Sequence, residues 1–141
     1  MTRDIMDFIE YIHNEKQTSK NTEVSYERDL RKLNEYLAGQ NICDAAAVTE
    51  TNLNAYVMFL EREGRKPATV SRSIASMKAF FHFLERERRI EADPAWRLKA
   101  PKIEKTMPRI LTTEEVTLLL EQPSGNTPKE LRDKAMLELL Y

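Results

Sequence analysis

Between Lys66 and Leu84 the chain reads KPATVSRSIASMKAFFHFL. Five apolar residues in it, Val70, Ile74, Met77, Phe81 and Leu84, recur at steps of four, three, four and three. That spacing returns each residue to one side of a helix, so the stretch predicts a long helix with a continuous buried stripe. Pro67 suits its first turn, where a missing N–H leaves no partner unsatisfied. Thr69, Arg72 and Ser76 share a second face by the same spacing and are expected to point outward. Arg65 and Lys66 precede the helix, and no acidic residue lies between Gly64 and Leu84. A helix that is apolar behind and basic and hydroxylated in front is suited to meeting something negative.

The rest of the chain is consistent with helices. Its 141 residues amount to about one domain. With 41% hydrophobic and 32% charged residues, the composition is that of a folded globular chain. Three glycines and little apolar alternation argue against sheets. No window approaches the roughly 18 apolar residues of a membrane span. The N-terminus, with Asp4, Asp7 and Glu10, lacks the basic flank and apolar run of a signal peptide. Cys43 is the one cysteine and cannot form an internal disulfide, which fits a reduced, cytoplasmic setting.

The net charge of −1 hides an asymmetry. Residues 64–109 hold 12 Lys and Arg against 5 Asp and Glu, while the remainder holds 10 against 18. One strongly basic third in a near-neutral chain points to a polyanion surface.

In order, residues 3–16 read as a first helix with Ile5, Phe8, Ile9 and Ile12 on one side. His13 stands at its edge with no second metal-ligating residue at suitable spacing, so it is expected at the surface or as a cap. A second helix follows, with Ser19 or Asn21 as its cap and Glu23 in its first turn. Its buried stripe is Tyr26, Leu30, Leu33 and Leu37, and Asn21, Ser25, Arg28 and Lys32 line the opposite face. Gly39 is expected to close it. Cys43, in the connection after it, is read as a packing residue. Thr49 or Thr51 caps a third helix reaching about Glu63, with Leu53, Tyr56, Val57 and Leu60 inward. Its outer Glu61 and Glu63 would repel phosphate, which makes it a supporting helix. Gly64 stops it, and the fourth helix runs from Pro67 to about Arg88. His82 is expected to be a partly exposed helical histidine.

After Arg89 the pattern changes. Pro94, Pro101 and Pro108 suppress helix, and five Lys or Arg fall between Arg97 and Arg109, so this reads as a basic extended linker. Trp96 is expected to pack in the core or against the linker. Thr112 or Thr113 then caps a helix with Glu114 and Glu115 in its first turn and Val116, Leu119 and Leu120 following. Pro123, Ser124 and Gly125 make a turn before a last amphipathic helix, Pro128 to Tyr141, carrying Leu131, Ala135, Leu139 and Leu140. That helix runs to Tyr141 without a cap or breaker, as if the sequence were cut inside a domain.

Four segments in this order and spacing, SKNTEVSYERDLRKLNEYL, KPATVSRSIASMKAFFHFLERERRIEADPA, the APK to PRILTTEEV passage and ELRDKAMLELLY, resemble the tyrosine recombinases in the branch of phage integrases and Xer-type resolvases. The resemblance implies an all-α chain. It comprises a four-helix SAM-like core-binding bundle over residues 1–93, a linker over 94–111, and the incomplete start of a catalytic domain over 112–141. In that family a tyrosine nucleophile works with two arginines, a lysine and histidine or tryptophan residues. The first catalytic arginine falls beyond the position of Tyr141, so neither Arg132 nor Tyr141 is assigned a catalytic role.

What the resemblance leaves to these residues is DNA binding, by the second and fourth helices of the bundle. The candidates are Lys20, Asn21, Ser25, Arg28 and Lys32 from the second helix, and Lys66, Thr69, Arg72, Ser73 and Ser76 from the fourth. Lys99, Lys102, Lys105 and Arg109 of the linker would follow the DNA backbone. Lys and Arg suit phosphates, and Ser, Thr and Asn suit phosphates or base edges. The implied partners are double-stranded DNA and other recombinase protomers on it, as a homo-oligomer. No membrane, small-molecule substrate, metal or cofactor is expected: there is no glycine-rich loop and no Cys/His cluster. A second reading is a helical protein-interaction module presenting Phe8, Ile9 and Ile12.

Overall fold

The computed structural model describes residues 1–16, 18–101 and 110–141. Every regular element among them is helical. They fall in two compact units, Met1–Ile103 and Glu104–Tyr141. No helix among the described residues is long and apolar enough to cross a membrane.

The first unit is built from α1 (Thr2–Asn14), α2 (Lys20–Ala38), a single 3-10 turn (Ala45–Ala47), α3 (Glu50–Arg62) and α4 (Pro67–Arg86). Local chemistry sets the starts. Ser19 Oγ accepts the Thr22 N–H ahead of α2. Thr49 and Asn52 form a reciprocal capping box ahead of α3. Pro67 occupies the first turn of α4. The stops use left-handed backbone. Gly64 (φ 69°) follows α3 and Arg88 (φ 56°) follows α4. After α2, Gly39 is the cap residue as expected, in right-handed backbone at φ −61°, and the left-handed residue is Asn41 (φ 61°).

α4 is the central helix and packs on α1, α2 and α3. Its predicted stripe is all buried, but the buried sector is wider and also takes in Ser73, Ser76, Phe80 and Phe83. A helix with three neighbours must bury roughly half its circumference, not one stripe. Phe8 of α1 meets Phe80 and Phe83 with ring centroids 5.6 Å away in both cases. Leu30, Leu33 and Leu37 of α2 and Leu53, Tyr56 and Leu60 of α3 complete the core, while Tyr26 and Val57 are only partly buried. Burying one such side chain contributes about 1.5–3 kcal/mol before entropy is counted.

The packed unit continues past residue 93. Ile90, Ala95 and Leu98 are buried in the same core. Asp93 Oδ1 accepts the Ala95 N–H at 2.7 Å and holds the turn that aims them inward. Trp96, expected to pack, instead stands 75% exposed, because Ala95 and Leu98 take the inward positions of this turn.

The second unit carries α5 (Thr113–Glu121) and α6 (Pro128–Leu140), which pack on each other. Capping boxes pair Thr112 with Glu115 and Thr127 with Glu130. Leu118, Leu119, Leu131, Leu139 and Leu140 are exposed.

Candidate nucleic-acid interface

α2 and α4 lie side by side, and one ion pair fastens them. Arg72 Nε donates to Asp29 Oδ2 at 2.8 Å and Nη2 donates to Oδ1 at 3.0 Å. Asp29 is 5% exposed and Arg72 38%. Arg72, expected to point outward and meet DNA, is a paired cation, because Asp29 on the neighbouring helix reaches it. The Asp29 bond holds the Arg72 pKa above its ordinary value, opposed by desolvation.

Around this pair stand the predicted residues of α2. Lys20, Asn21, Arg28 and Lys32 are exposed and Ser25 is half-buried. From the α4 end, Lys66 and its neighbour Arg65 are exposed and Thr69 is half-buried. Among the described residues no carboxylate lies within 4.0 Å of the Arg28, Lys32, Arg65 or Lys66 cations. Lys32 and Arg65 line one groove together with Tyr36, Tyr56 and Phe59, and with the acids Glu35 and Glu63.

Two of the α4 candidates are not on this surface. Ser73 is 3% exposed and Ser76 is 0%. The Ser76 hydroxyl donates to the Ser73 carbonyl at 2.8 Å, which satisfies it inside the core. Burial pushes the pKa of the Tyr56 hydroxyl up to about 12, against the opposing influence of Ser73. Both serines sit on the flank that α4 turns to its neighbours. The outward residues there are Ala68 and Ala75, with Arg72 half-exposed between them. Lys99 is exposed at the end of the first unit. Lys102, Lys105 and Arg109 lie outside the described residues.

The family model for the phage integrase N-terminal SAM-like domain matches residues 5–88, the stretch that holds all four helices and this surface. The chain belongs to that family. Whole-chain similarity agrees. A tyrosine recombinase of Caldanaerobacter subterraneus subsp. tengcongensis is 42% identical over 137 residues, which is 96% of this chain and 46% of that protein. Tyrosine recombinase XerD of Listeria innocua is 35% identical over 138 residues, 97% of this chain and 46% of the relative. Tyrosine recombinase XerC of Roseiflexus castenholzii is 36% identical over 142 residues, 100% of this chain and 45% of the relative. The chain thus spans less than half the length of these relatives.

In this integrase-type domain the histidines keep company the sequence reading did not assign. His13 Nδ1 lies 2.9 Å from Glu23 Oε1, and Glu23 is buried rather than a solvated first-turn charge. His82, Glu85 and Asp93 bring a ring nitrogen and two carboxylate oxygens within 4.8 Å of one another. There, Glu85 Oε1 accepts the Asp93 N–H and Asp93 Oδ1 accepts the Ala95 N–H, so both carboxylates are occupied in folding the turn after α4. Phe8 and Ile12, offered as a protein-docking set with Ile9, are buried in the SAM-like domain. Ile9 alone of the three is partly exposed. Arg132 of the second unit pairs with Asp133 at 2.7 Å, and Tyr141 is exposed.

Asp29 is the residue that sequence reasoning missed. A signal was present: it lies four residues after Ser25 and three before Lys32, inside the face called basic. An acid at such a position either spoils a phosphate surface or serves a cation from a neighbouring helix.

Proposed function

We propose that this chain binds duplex DNA through the joined faces of α2 and α4, as the N-terminal clamp half of a site-specific tyrosine recombinase. The observation that carries the reading is the set of exposed cations Arg28 and Lys32 on α2 and Arg65 and Lys66 ahead of α4, unpaired among the described residues, on the two elements that the Asp29–Arg72 pair joins. Two cations on α2 and two just ahead of α4 match the repeating charge of a DNA backbone. Between them, α4 offers a low relief of small side chains on a helix the major groove can admit. The names of the relatives, tyrosine recombinases, support the same reading. It assigns strand cleavage to none of these 141 residues, includes assembly with further protomers on DNA, and goes with a cytoplasmic location.

The test is a mobility-shift titration of the 141-residue chain on duplex DNA across a salt series. With about four phosphate contacts, log K should fall with log salt at a slope near −4. Salt-independent binding, or no binding at low salt, would overturn the reading.

A further inference from the structure

Resting on that DNA reading, we infer that Arg72 reads the edge of a base pair, held in position by Asp29, and does not serve as a phosphate anchor. The geometry of the pair carries this. A guanidinium has two edges that can donate in parallel. Asp29 takes the side edge, using Nε–H and one Nη2–H. The end edge, formed by Nη1 and the second Nη2–H, has no acceptor among the described residues, and the side chain keeps 38% of its exposure. Two parallel donors on a fixed plane match the O6 and N7 acceptors of guanine in the major groove.

Charge separates this role from that of its neighbours. Asp29 neutralises Arg72 at 2.8 Å, so the pair offers a phosphate little net attraction. Directed hydrogen bonds survive that neutralisation. Arg28 and Lys32 keep full charge and flexible stems, which suits phosphates. The local relief agrees. Ala68 and Ala75 lie four before and three after Arg72 on the same side of α4, and both are exposed. Side chains this short let the α4 backbone enter a groove far enough for Arg72 to meet base edges. Asp29 is therefore a positioning residue: it freezes the plane of Arg72 before DNA arrives and lowers the entropy lost on binding.

The experiment is selection from a randomised duplex pool by the 141-residue chain, with sequencing of the bound fraction and a salt series on the winning duplex. The wild-type pool should fix one G·C pair at a defined position. Arg72→Lys, which keeps the charge without the fork, should lose that preference by roughly tenfold to a hundredfold. The salt slope should not change. Asp29→Leu combined with Arg72→Met should do the same; replacing both partners together leaves no unpaired buried carboxylate, and circular dichroism checks that the fold is kept. Arg28→Ala should keep the preference and lower the salt slope by about one. Arg72 variants that retain every preference would overturn the inference, as would an Arg72 variant whose salt slope drops by about one. Wild-type binding that is salt-dependent but enriches no base pair overturns the inference and leaves DNA binding standing. Absence of any binding removes both.

Discussion

Arg89 reaches back from the end of α4 to the first helix, with Nη1 2.6 Å from Asp7 Oδ2 and 3.1 Å from Asp4 Oδ1. One turn earlier, Arg86 stands over the Tyr11 ring, donates to its hydroxyl, and pairs with Glu87 and Glu15. The basic third of the sequence therefore divides in two. Arg86 and Arg89 near the end of α4 are committed to acids in the same unit, whereas among the described residues Arg65 and Lys66 at its start have no carboxylate within 4.0 Å. A net count over residues 64–109 cannot make that division, because the neutralising acids of α1 lie about eighty positions away in the chain.

Arg89→Ala should lower stability by about 1 kcal/mol, near the upper end for exposed pairs since one guanidinium serves two carboxylates. Duplex affinity should stay within about twofold, because this cation is already engaged with α1. Urea unfolding and a mobility shift on the same preparation check both halves. A large loss of affinity without loss of stability would mean that the DNA surface extends to the far end of α4.

Tyr56 makes alkaline stability a readout of the junction. Burial raises its pKa from 10.0 to about 12. The folded state thus holds the proton more tightly than the unfolded chain. The stabilisation is complete below the unfolded value and is lost as pH rises from 10 towards 12. Its size is about 2–3 kcal/mol for a shift of that order. Denaturant midpoints of the wild type should fall more steeply over that window than those of Tyr56→Phe. Parallel profiles would show that the hydroxyl is not sheltered.

Gly64→Ala should cost about 1 kcal/mol, from the left-handed backbone alone. Gly64 has φ 69°, and a Cβ there would meet nothing within 4 Å. Gly64→Asn should cost less, since asparagine tolerates this region. Equal stability of all three proteins in urea would place the stop of α3 elsewhere.

The four helices of the first unit were legible because each buries about one residue per turn on a fixed side, and a period of 3.6 is visible without any partner. The width of a buried sector is not visible in that way, since it depends on how many neighbours surround the helix. Ser73 and Ser76 look like surface residues in the sequence, yet both are buried, and the α4 backbone satisfies the Ser76 hydroxyl in the core. Of the interface, the α2 cations were legible as a row of polar residues in register. The Asp29–Arg72 pair was not, because it joins positions 43 apart. Trp96 misled for a different reason. Apolar area favours burial of an indole, but the tight turn held by Asp93 turns Ala95 and Leu98 inward instead.

Asp93 should be a small liability at neutral pH. Burial raises its pKa above 3.8, against the Ala95 N–H, and Glu85 adds like-charge repulsion. A raised carboxyl contributes stability when protonated and loses that contribution as pH rises through the folded value. Asp93→Asn keeps an oxygen for the Ala95 N–H and removes the charge, so it should raise the melting temperature at pH near 7. The advantage should shrink as pH falls towards the ordinary carboxyl range. An advantage that does not vary with pH would point to a change in the turn rather than in charge.

The residues after α4 give the sharpest contrast between a linker and a packed segment. Leu98 is 4% exposed and Ala95 is 0%, whereas Trp96 between them is 75% exposed. If the first unit ended at residue 93, substitutions at all three positions would be nearly neutral. Because Leu98 closes the core, Leu98→Ala should destabilise by about 2–4 kcal/mol, as a leucine inside a helix bundle does. Trp96→Ala should stay within about 0.5 kcal/mol despite removing the largest side chain in the segment. Thermal and urea unfolding of the two variants beside the wild type decide the matter. The reverse order of effects would put Trp96, and not Leu98, in the packed interior and return the segment to the extended path its prolines suggest.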